Sequence, residues 1–511
     1  MFKSTAIVSL NTLISRILGL VRDIVIAHTF GASAGVDAFL VAFRLPNFLR
    51  RLFAEGAFSQ AFVPVLSQYK EEGGVEEVRS LTAHVFGALG GVLVVVTILG
   101  VLGAPVLVTL FAPGFLNSPD KFDLTVSMLR ITFPYLLFVS LTAFAGAMLN
   151  TYGRFGIPAF TPVLLNISLI LSAVLLAPHC HQPVMALAIG VFIAGMAQLM
   201  FQLPFLSRLG LLVWPKIKRS HEGVRKISRL MLPGILGVSV SQINLLIDTL
   251  IASFLVTGSV TWLYYSDRMV EFPLGVFGIA LGTVMLPSLS RQFARHDGRS
   301  FSATIDWALR LIVVIAIPAT VGLAVLSFPI LTTLFHYGAF SDHDVAMSSL
   351  SLMAYSLGLA GFVGVKVLVP GFTARQDMKT PVRVAIIAMF TNIILNLALV
   401  GPLDHVGLAL ATSLAAFVNA GLLFWYLKRE GIFAAQAGWL GLVGKVLGAN
   451  VVMGVFIWWA KGDASLWLQA DLSERIFRLG ILVAMAIVVY CLILAALGLR
   501  PNMFRLSGRS T

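Results

Sequence analysis

The chain has 511 residues, of which 58% are hydrophobic and only 12% charged, and its mean hydropathy is +0.93. Soluble globular proteins are about 45–50% apolar and about 25% charged, so this composition excludes an ordinary water-soluble enzyme. Two cysteines are too few for a disulfide framework or a multi-cysteine metal site. The 36 Lys and Arg residues exceed the 23 Asp and Glu residues, which gives a net charge of +13. This excess indicates nucleic-acid binding only if membrane topology does not account for it.

About fourteen apolar windows are long enough to cross a bilayer, which takes roughly 20 residues per helix. In chain order the predicted spans are 5–29, 36–68, 81–112, 124–151, 158–178, 184–207, 232–256, 260–288, 302–335, 345–373, 380–401, 406–427, 438–460 and 476–498. The sequence therefore predicts an all-α polytopic membrane protein with about fourteen transmembrane helices.

The basic residues between these spans are distributed very unevenly. The loops after even-numbered spans and the two terminal segments hold 22 Lys and Arg residues, whereas the loops after odd-numbered spans hold only Lys121, Lys461 and Arg475. Basic loops stay in the cytoplasm, so both termini and the even loops are predicted to be cytoplasmic. Because topology accounts for most of the positive charge, we expect no nucleic-acid partner.

Two pairs of segments indicate an internal duplication. Residues 61–68 (AFVPVLSQ) match residues 283–292 (TVMLPSLSRQ) at a shift of 223, and Thr-Pro-Val recurs at 161 and 380 at a shift of 219. Six spans per repeat is an even number, so the halves share one orientation, as in transporters built from parallel repeats. This pattern predicts alternating access between two lobes, although a duplicated channel or scaffold would leave the same trace.

The repeat divides the chain into four predicted parts: an N-lobe of spans one to six (1–207), a linker (208–231), a C-lobe of spans seven to twelve (232–430), and spans thirteen and fourteen with the tail (431–511). The linker mixes basic residues with Trp214, Ile217, Val224 and Ile227. That mixture is typical of an amphipathic helix at the membrane surface, and an ordinary positive-inside loop is the alternative.

Ionisable side chains inside the spans are the most informative feature of the sequence. They are Arg16, Arg22, Asp23, Asp37, Arg44, Arg50, Arg51, Glu55, Asp248, Asp267, Arg268 and Glu271. An arginine at the bilayer centre costs roughly 2.5–3.5 kcal/mol, so the five in the first two spans would cost about 12–17 kcal/mol against lipid. We therefore expect them to face a wet or protein-lined cavity.

The guanidinium group suits a phosphate or carboxylate because it presents a rigid fork of donors and remains charged. Arg16, Arg50 and Arg268 are the best candidate ligands for an anionic head group. The alternative is that these charges form internal ion pairs, such as Arg22–Asp23 and Asp267–Arg268, that hold helices together or open and close a gate.

Asp248, Asn392, Asn396 and Thr412 form a second set of polar residues inside the spans. Their oxygens suit a coupling cation such as Na⁺, or a proton at Asp248, while hydrogen bonding between helices is the competing interpretation. The sequence contains no phosphate-binding loop and no HExxH motif, so it indicates neither an enzyme nor a bound metal or organic cofactor.

Three segments resemble the MurJ (MviN) lipid II flippase family of the MOP exporter superfamily. They are ISRILGLVRD (14–23), DAFLVAFRLPNFLRRLFAEGAFSQAFVPVL (37–66) and SDRMVEFPLGVFGIALGTVMLPSLS (266–290). The resemblance implies two six-helix lobes, a central cationic cavity and a groove along the last two helices for the polyprenyl tail. By the same resemblance the substrate-binding residues are Arg16, Arg22, Arg50, Arg268, Asp37, Glu55 and Glu271.

A flippase of this family would move lipid II from the inner to the outer leaflet of the bacterial inner membrane. Its partners would be lipid II, the bilayer and the cell-wall synthesis machinery, and Na⁺, H⁺ or the membrane potential would reset it. Some relatives have a sodium site whose pattern reaches Asp248, Asn392, Asn396 and Thr412, but an amide at Asn396 stands where a carboxylate is expected.

Three alternatives remain open at this point. A cation-coupled drug exporter of the same superfamily would favour carboxylates and aromatic residues over arginines. A membrane-embedded glycolipid enzyme would need a clustered nucleophile, base or metal site. A flippase for another polyprenyl-linked saccharide would share almost every feature of this sequence.

Overall fold

A computed structural model describes residues 2–51, 58–216 and 221–499 of the chain. This described part is built from α-helices and contains no β-strand. The α-helices are α1 (Phe2–Phe30), α2 (Ala34–Arg50), α3 (Ser59–Glu72), α4 (Gly74–Leu102), α5 (Ala104–Phe111), α6 (Pro119–Thr132), α7 (Tyr135–Thr151), α8 (Gly156–Leu171), α9 (Met185–Arg208), α10 (Glu222–Ala252), α11 (Ser259–Pro273), α12 (Ile279–Ala294), α13 (Gly298–Val325), α14 (Ser327–Phe335), α15 (Asp342–Leu357), α16 (Leu359–Thr373), α17 (Lys379–Arg429), α18 (Trp439–Ala460), α19 (Ala464–Leu468) and α20 (Leu472–Ala496).

The all-α polytopic architecture predicted from the sequence is confirmed. Within the described ranges, nine helical segments are long and apolar enough to cross a membrane. One of them, the 51-residue α17, covers predicted spans eleven and twelve and turns at Asp404, whose φ of 47° and ψ of −132° are not helical. Predicted spans two and eight are each shared between two shorter helices, α2 with α3 and α11 with α12. The total of fourteen spans stays a prediction.

The chain divides into two compact units, Met1–Thr261 and Trp262–Thr511. The first unit includes α10, which the sequence repeat assigns to the C-lobe, so the lobe boundaries at 207 and 232 stay predictions. The second half of the predicted linker is the beginning of α10, a helix of 31 residues that starts at Glu222. Residues 222–231 therefore continue into predicted span seven and do not form a separate helix.

Among the described residues, two hydrophobic clusters contribute to the core of the first unit. One gathers side chains of α2, α6, α7 and α9, including Phe39, Leu129 and Leu187. The other joins α3, α4 and α7 around Phe62 and Phe144. Helix α1 packs along α8, and this pairing positions the arginines of predicted span one.

The second unit carries a buried carboxylate that the sequence reading did not single out. Asp306 on α13 accepts from Arg310 Nε at 2.7 Å, from the Trp439 indole at 2.8 Å and from the Gln436 backbone N–H at 3.2 Å. Arg310 in turn donates to the carbonyls of Gln436 and Ala437. These bonds hold the segment that leads into α18 against α13.

Replacing Asp306 by Ala is expected to lower the free energy of unfolding by about 3–5 kcal/mol, because it removes one partner of a buried ion pair. Titration with a denaturing detergent, followed by circular dichroism, measures this loss. Glu474→Ala is the matched control: Glu474 also pairs with an arginine one helical turn away, at 2.6 Å, but both side chains are more than a third exposed. Its loss should stay within about 0.5 kcal/mol, and equal losses for the two variants would contradict the assignment.

Candidate functional site

Arg22 and Asp23 form a buried ion pair on α1. Arg22 Nε and Nη2 donate to Asp23 Oδ1 at 3.0 and 2.6 Å, and both side chains are less than a tenth exposed. Arg22 Nη1 also donates to Asn166 Oδ1 on α8 at 3.1 Å. The pairing of Arg22 with Asp23 expected from the sequence is therefore present, and it lies where α1 packs against α8.

Arg16 has a different environment, although it lies on the same helix. Its side chain is exposed, and no hydrogen bond or ion pair joins it to another residue in the part of the chain that the structure describes. The exposed apolar side chains of this stretch form a stripe of Leu10, Leu13, Ile17 and Val21. At 3.6 residues per turn, Arg16 lies about 100° around the helix from the middle of that stripe. A lipid-facing stripe and a water-facing Arg16 are thus compatible on one helix.

Asp37 near the start of α2 is 1% exposed, and its carboxylate accepts four hydrogen bonds. Oδ2 accepts from Lys121 Nζ and from the Gly258 backbone N–H, both at 2.8 Å. Oδ1 accepts from the backbone N–H of Thr261 at 3.0 Å and from its hydroxyl at 2.7 Å. Asp37 therefore connects α2 with α6, with the turn between α10 and α11, and with the first turn of α11. We call Asp37, Lys121, Gly258 and Thr261 the Asp37 network.

A second contact ties the same turn to the helices around it. The backbone N–H of Gly114 donates to Ser253 Oγ at 3.0 Å, and a Cβ atom on Gly114 would lie 2.3 Å from the Ser253 carbonyl oxygen. Only glycine allows the backbones to approach this closely. Together with the Asp37 network, this contact closes one end of the first unit around the C-terminal end of α10.

The two arginines of α2 are partly buried, and each donates a hydrogen bond to a polar side chain. Arg44 donates to the hydroxyl of Thr249 on α10, and Arg50 Nε donates to Asn47 Oδ1 at 2.8 Å. Arg51 is exposed. Glu55, which the resemblance implicates in substrate binding, lies outside the described residues.

In the second unit, Arg268 pairs with Glu271 one turn further along α11. Arg268 Nη1 donates to Glu271 Oε2 at 2.9 Å, and the two side chains are 36% and 48% exposed. The pair expected from the sequence was Asp267–Arg268, which stays a prediction; Glu271 lies three residues after Arg268, a spacing at which helical side chains meet. The Arg268–Glu271 pair is more exposed than Arg22–Asp23, so solvent competes with it, and an incoming anion can exchange with Glu271 at low cost.

Three residues of the predicted cation site meet within α17. Asn396 Nδ2 donates to Asn392 Oδ1 at 2.8 Å, and Asn392 Nδ2 donates to the Thr412 hydroxyl at 3.2 Å. Asp248 belongs to the other compact unit. In the described ranges no group of three or more His, Cys, Asp or Glu side chains can hold a metal ion.

Lys121 and Asn166 take part in these contacts, but the sequence reading assigned neither to the site. Lys121 is one of three basic residues in the loops after odd-numbered predicted spans, and that rarity was the only available signal. It is 8% exposed and lies over the Phe115 ring at 4.2 Å. Asn166 is an amide inside a span, and no pattern in the sequence links it to Arg22, 144 residues earlier.

The first unit carries Arg22 in a buried neutral pair and Arg16 and Arg51 as exposed arginines, and the second unit carries the partly exposed Arg268–Glu271 pair. Guanidinium groups in a region of low dielectric attract a phosphate or pyrophosphate strongly. Arginines of this kind support the binding and release of an anion.

Comparison with solved structures gives the class of protein. The chain aligns with a structure described as the inward-facing conformation of a multidrug resistance MATE family transporter of the MOP superfamily, with a TM-score of 0.68 and 11% identity, over 82% of this chain and 94% of that one. Identity this low shows the fold alone, which is the transporter fold of the MOP superfamily. A lipid II flippase MurJ in an inward closed conformation matches with a TM-score of 0.80 and 28% identity, over 98% and 99% of the two chains.

Sequence comparison then gives the family. The family model described as lipid II flippase MurJ matches residues 26–478. The chain is 48% identical to the probable lipid II flippase MurJ of Haemophilus influenzae, over 96% of this chain and 99% of that protein. It is 40% identical to the lipid II flippase MurJ of Burkholderia cenocepacia, over 99% of both. The chain belongs to the MurJ family, whose members are flippases and not enzymes, so the predicted family is confirmed.

The two arginines of α1 should differ when each is replaced by Ala. Arg22→Ala leaves the buried Asp23 carboxylate without its cation and is expected to lower the free energy of unfolding by about 3–5 kcal/mol. Arg16→Ala removes an exposed side chain and should change it by no more than about 0.5 kcal/mol. The same detergent titration measures both, and a larger loss for Arg16→Ala than for Arg22→Ala would contradict the described geometry.

Proposed function

We propose that this chain moves lipid II from the inner to the outer leaflet of the bacterial inner membrane by alternating access. This proposal rests on the match to the MurJ family over nearly the whole length of the chain. The arginines of α1, α2 and α11 support it. The class of substrate follows from their chemistry, because a polyprenyl pyrophosphate presents two adjacent phosphates to several guanidinium groups.

Arg16, Arg22, Arg50 and Arg268 bind the pyrophosphate in this mechanism. Arg16 is exposed and makes the first contact. Arg268 exchanges Glu271 for the phosphate, because the Arg268–Glu271 pair is partly exposed and weak. Arg22 keeps its pair with Asp23, so it adds little net positive charge to the site. Its role is to donate hydrogen bonds to the phosphate in a fixed direction. We also retain Asp37, Glu55 and Glu271 in the site, as carboxylates that reclaim their cations when the head group leaves.

The Asp37 network keeps one side of the first unit closed while substrate enters from the other. We place this network at the external face, because Lys121 and Gly258 fall in loops predicted to be external. Release to the outer leaflet then requires that Asp37 lose its four donors. The donors are backbone and hydroxyl groups as well as Lys121, so water can replace them once the turn moves away.

The polyprenyl tail remains in the bilayer while the head group crosses. Exposing its methylenes to water would cost about 0.8 kcal/mol each, which is prohibitive for a chain of about 55 carbons. The last long helices, α18 and α20, carry many exposed apolar side chains, including Val455, Trp458, Ile487 and Leu492. We propose that the tail lies along this surface.

We propose that the carrier needs no organic cofactor or resident metal and that the membrane potential, Na⁺ or H⁺ resets it. The amide and hydroxyl oxygens of Asn392, Asn396 and Thr412 suit a weak Na⁺ site, with Asp248 as the carboxylate. Both termini lie in the cytoplasm by the distribution of loop charges. Released lipid II passes to the cell-wall synthesis machinery outside. A drug exporter is not favoured, since the MATE likeness extends to the fold alone.

Replacing Arg16, Arg50 or Arg268 by Ala should abolish most lipid II exposure on the outer leaflet. The test is depletion of the wild-type protein with expression of each variant, followed by measurement of externally accessible lipid II. Arg291→Ala is the matched control, because Arg291 is exposed at the C-terminal end of α12 and lies in a loop predicted to be cytoplasmic. Wild-type exposure in all three variants would end the assignment of these arginines as ligands.

Loss of the Asp37 carboxylate should open the external side. In a background with Cys180→Ser and Cys491→Ser, a cysteine introduced by Ser259→Cys reports on the turn, since Ser259 is fully buried. Adding Asp37→Ala should raise its rate of modification by an external, membrane-impermeant maleimide several-fold. Asp123→Ala removes an exposed acid on the same helix as Lys121 and should leave the rate unchanged. Equal rates in both backgrounds would contradict the closing role of the network.

A further inference from the structure

We propose that Asn166 is a positioning residue that sets the direction of the Arg22 guanidinium and the place of Arg16 along the substrate path. This inference rests on the proposed function, because it concerns how the arginines of α1 receive the pyrophosphate. Asn166 lies in the middle of α8 and is 5% exposed. An amide this deeply buried has to satisfy both its oxygen and its nitrogen.

The side chain of Asn166 satisfies both on α1. Its Oδ1 accepts from Arg22 Nη1 at 3.1 Å, and its Nδ2 donates to the backbone carbonyl of Ser15 at 2.9 Å. Ser15 directly precedes Arg16. One amide therefore contacts α1 at two points, the side chain of one candidate ligand and the backbone next to another.

Gly19 lies beneath this arrangement. A Cβ atom at Gly19 would lie 3.7 Å from Asn166 Nδ2 and 3.9 Å from Oδ1, in ordinary van der Waals contact, so the amide lies directly over the glycine. Helical side chains lean toward the N-terminus, which brings Arg22 back over the preceding turn and toward Asn166.

The choice of an amide has an electrostatic consequence. Asp23 already neutralises Arg22 at 2.6 Å. A second carboxylate at position 166 would leave the group net negative and would repel an anionic head group. A neutral amide holds the guanidinium at a fixed angle without cancelling more of its charge, so Arg22 stays oriented and still attracts phosphate.

The contact with Ser15 controls the position of Arg16. The Ser15 carbonyl belongs to the backbone of α1, so its bond to Asn166 resists sliding or rotation of that helix along α8. A second amide, that of Asn11 on α1, donates to the backbone carbonyl of Gly156 at the start of α8, at 3.0 Å. This hydrogen bond joins the same two helices about one turn earlier along α1. Asn166 thus acts on the substrate through Arg16 and Arg22 and does not itself need to touch it.

The test measures lipid II affinity of the purified full-length protein in detergent for the wild type, Asn166→Ala, Arg22→Ala and the double variant. Asn166→Ala should weaken binding by about tenfold in the wild-type background. In the Arg22→Ala background the same change should weaken binding by clearly less than tenfold, because the effect through Arg22 is already lost and only the effect through Ser15 and Arg16 remains. Gln198→Ala is the matched control: Gln198 is also a buried amide that donates to a carbonyl of α8, that of Thr161 at 2.9 Å. It should leave the affinity unchanged.

Where Asn166→Ala does not give folded protein, Asn166→Asp takes its place, because its carboxylate still accepts from Arg22. The added negative charge should weaken lipid II binding while folding is retained. Unchanged affinity in the folded variant, or a double variant weakened by the product of the two single effects, would overturn this inference alone. Absence of lipid II binding by the wild-type protein would overturn the proposed function and this inference with it.

Discussion

The cost of placing a guanidinium group in hydrocarbon is the constraint from which the rest of this structure follows. Each arginine in a span must find a carboxylate, a polar partner or water, because a bare charge facing lipid is expensive. The chain uses all three solutions. Arg22 has Asp23, Arg44 has a threonine hydroxyl, and Arg16 is exposed on a side of α1 away from the apolar stripe.

Differences in burial among these pairs separate structural from exchangeable contacts. Arg22–Asp23 is almost fully buried, and separating this pair leaves a costly charge behind. Arg268–Glu271 is partly exposed, so separating it costs little. A carrier needs both kinds, because firm pairs keep the helices in register while weak pairs let the ligand replace one partner. The Asp37 network lies between these extremes, since its donors are numerous but individually replaceable by water.

The sequence predicts the helical class, the presence of charges in spans one, two and eight, and the Arg22–Asp23 pair, because each depends on local composition or on neighbouring residues. For Arg268 it favoured Asp267 as the partner, whereas the structure pairs Arg268 with Glu271 one turn further along α11. The sequence does not predict Asn166, Lys121, or the Asp306–Arg310–Trp439 contact. Apart from Asp306–Arg310 within α13, those contacts join residues separated by more than 80 positions in the chain. The spacing of apolar residues along a helix carries no information about such distant partners. Residues 222–231 of the predicted linker are the first turns of the continuous α10, because nothing in 222–231 stops helix propagation; the contact of the linker with the membrane surface stays a prediction.

The central claim is that Arg16 faces water along the path of the substrate. Its most direct test is the rate at which a membrane-impermeant thiol reagent modifies Arg16→Cys in inside-out vesicles of the Cys180→Ser, Cys491→Ser protein. We expect rapid modification of Arg16→Cys, beside an unreactive Leu13→Cys on the apolar stripe. Arg16→Cys as unreactive as Leu13→Cys would contradict this claim.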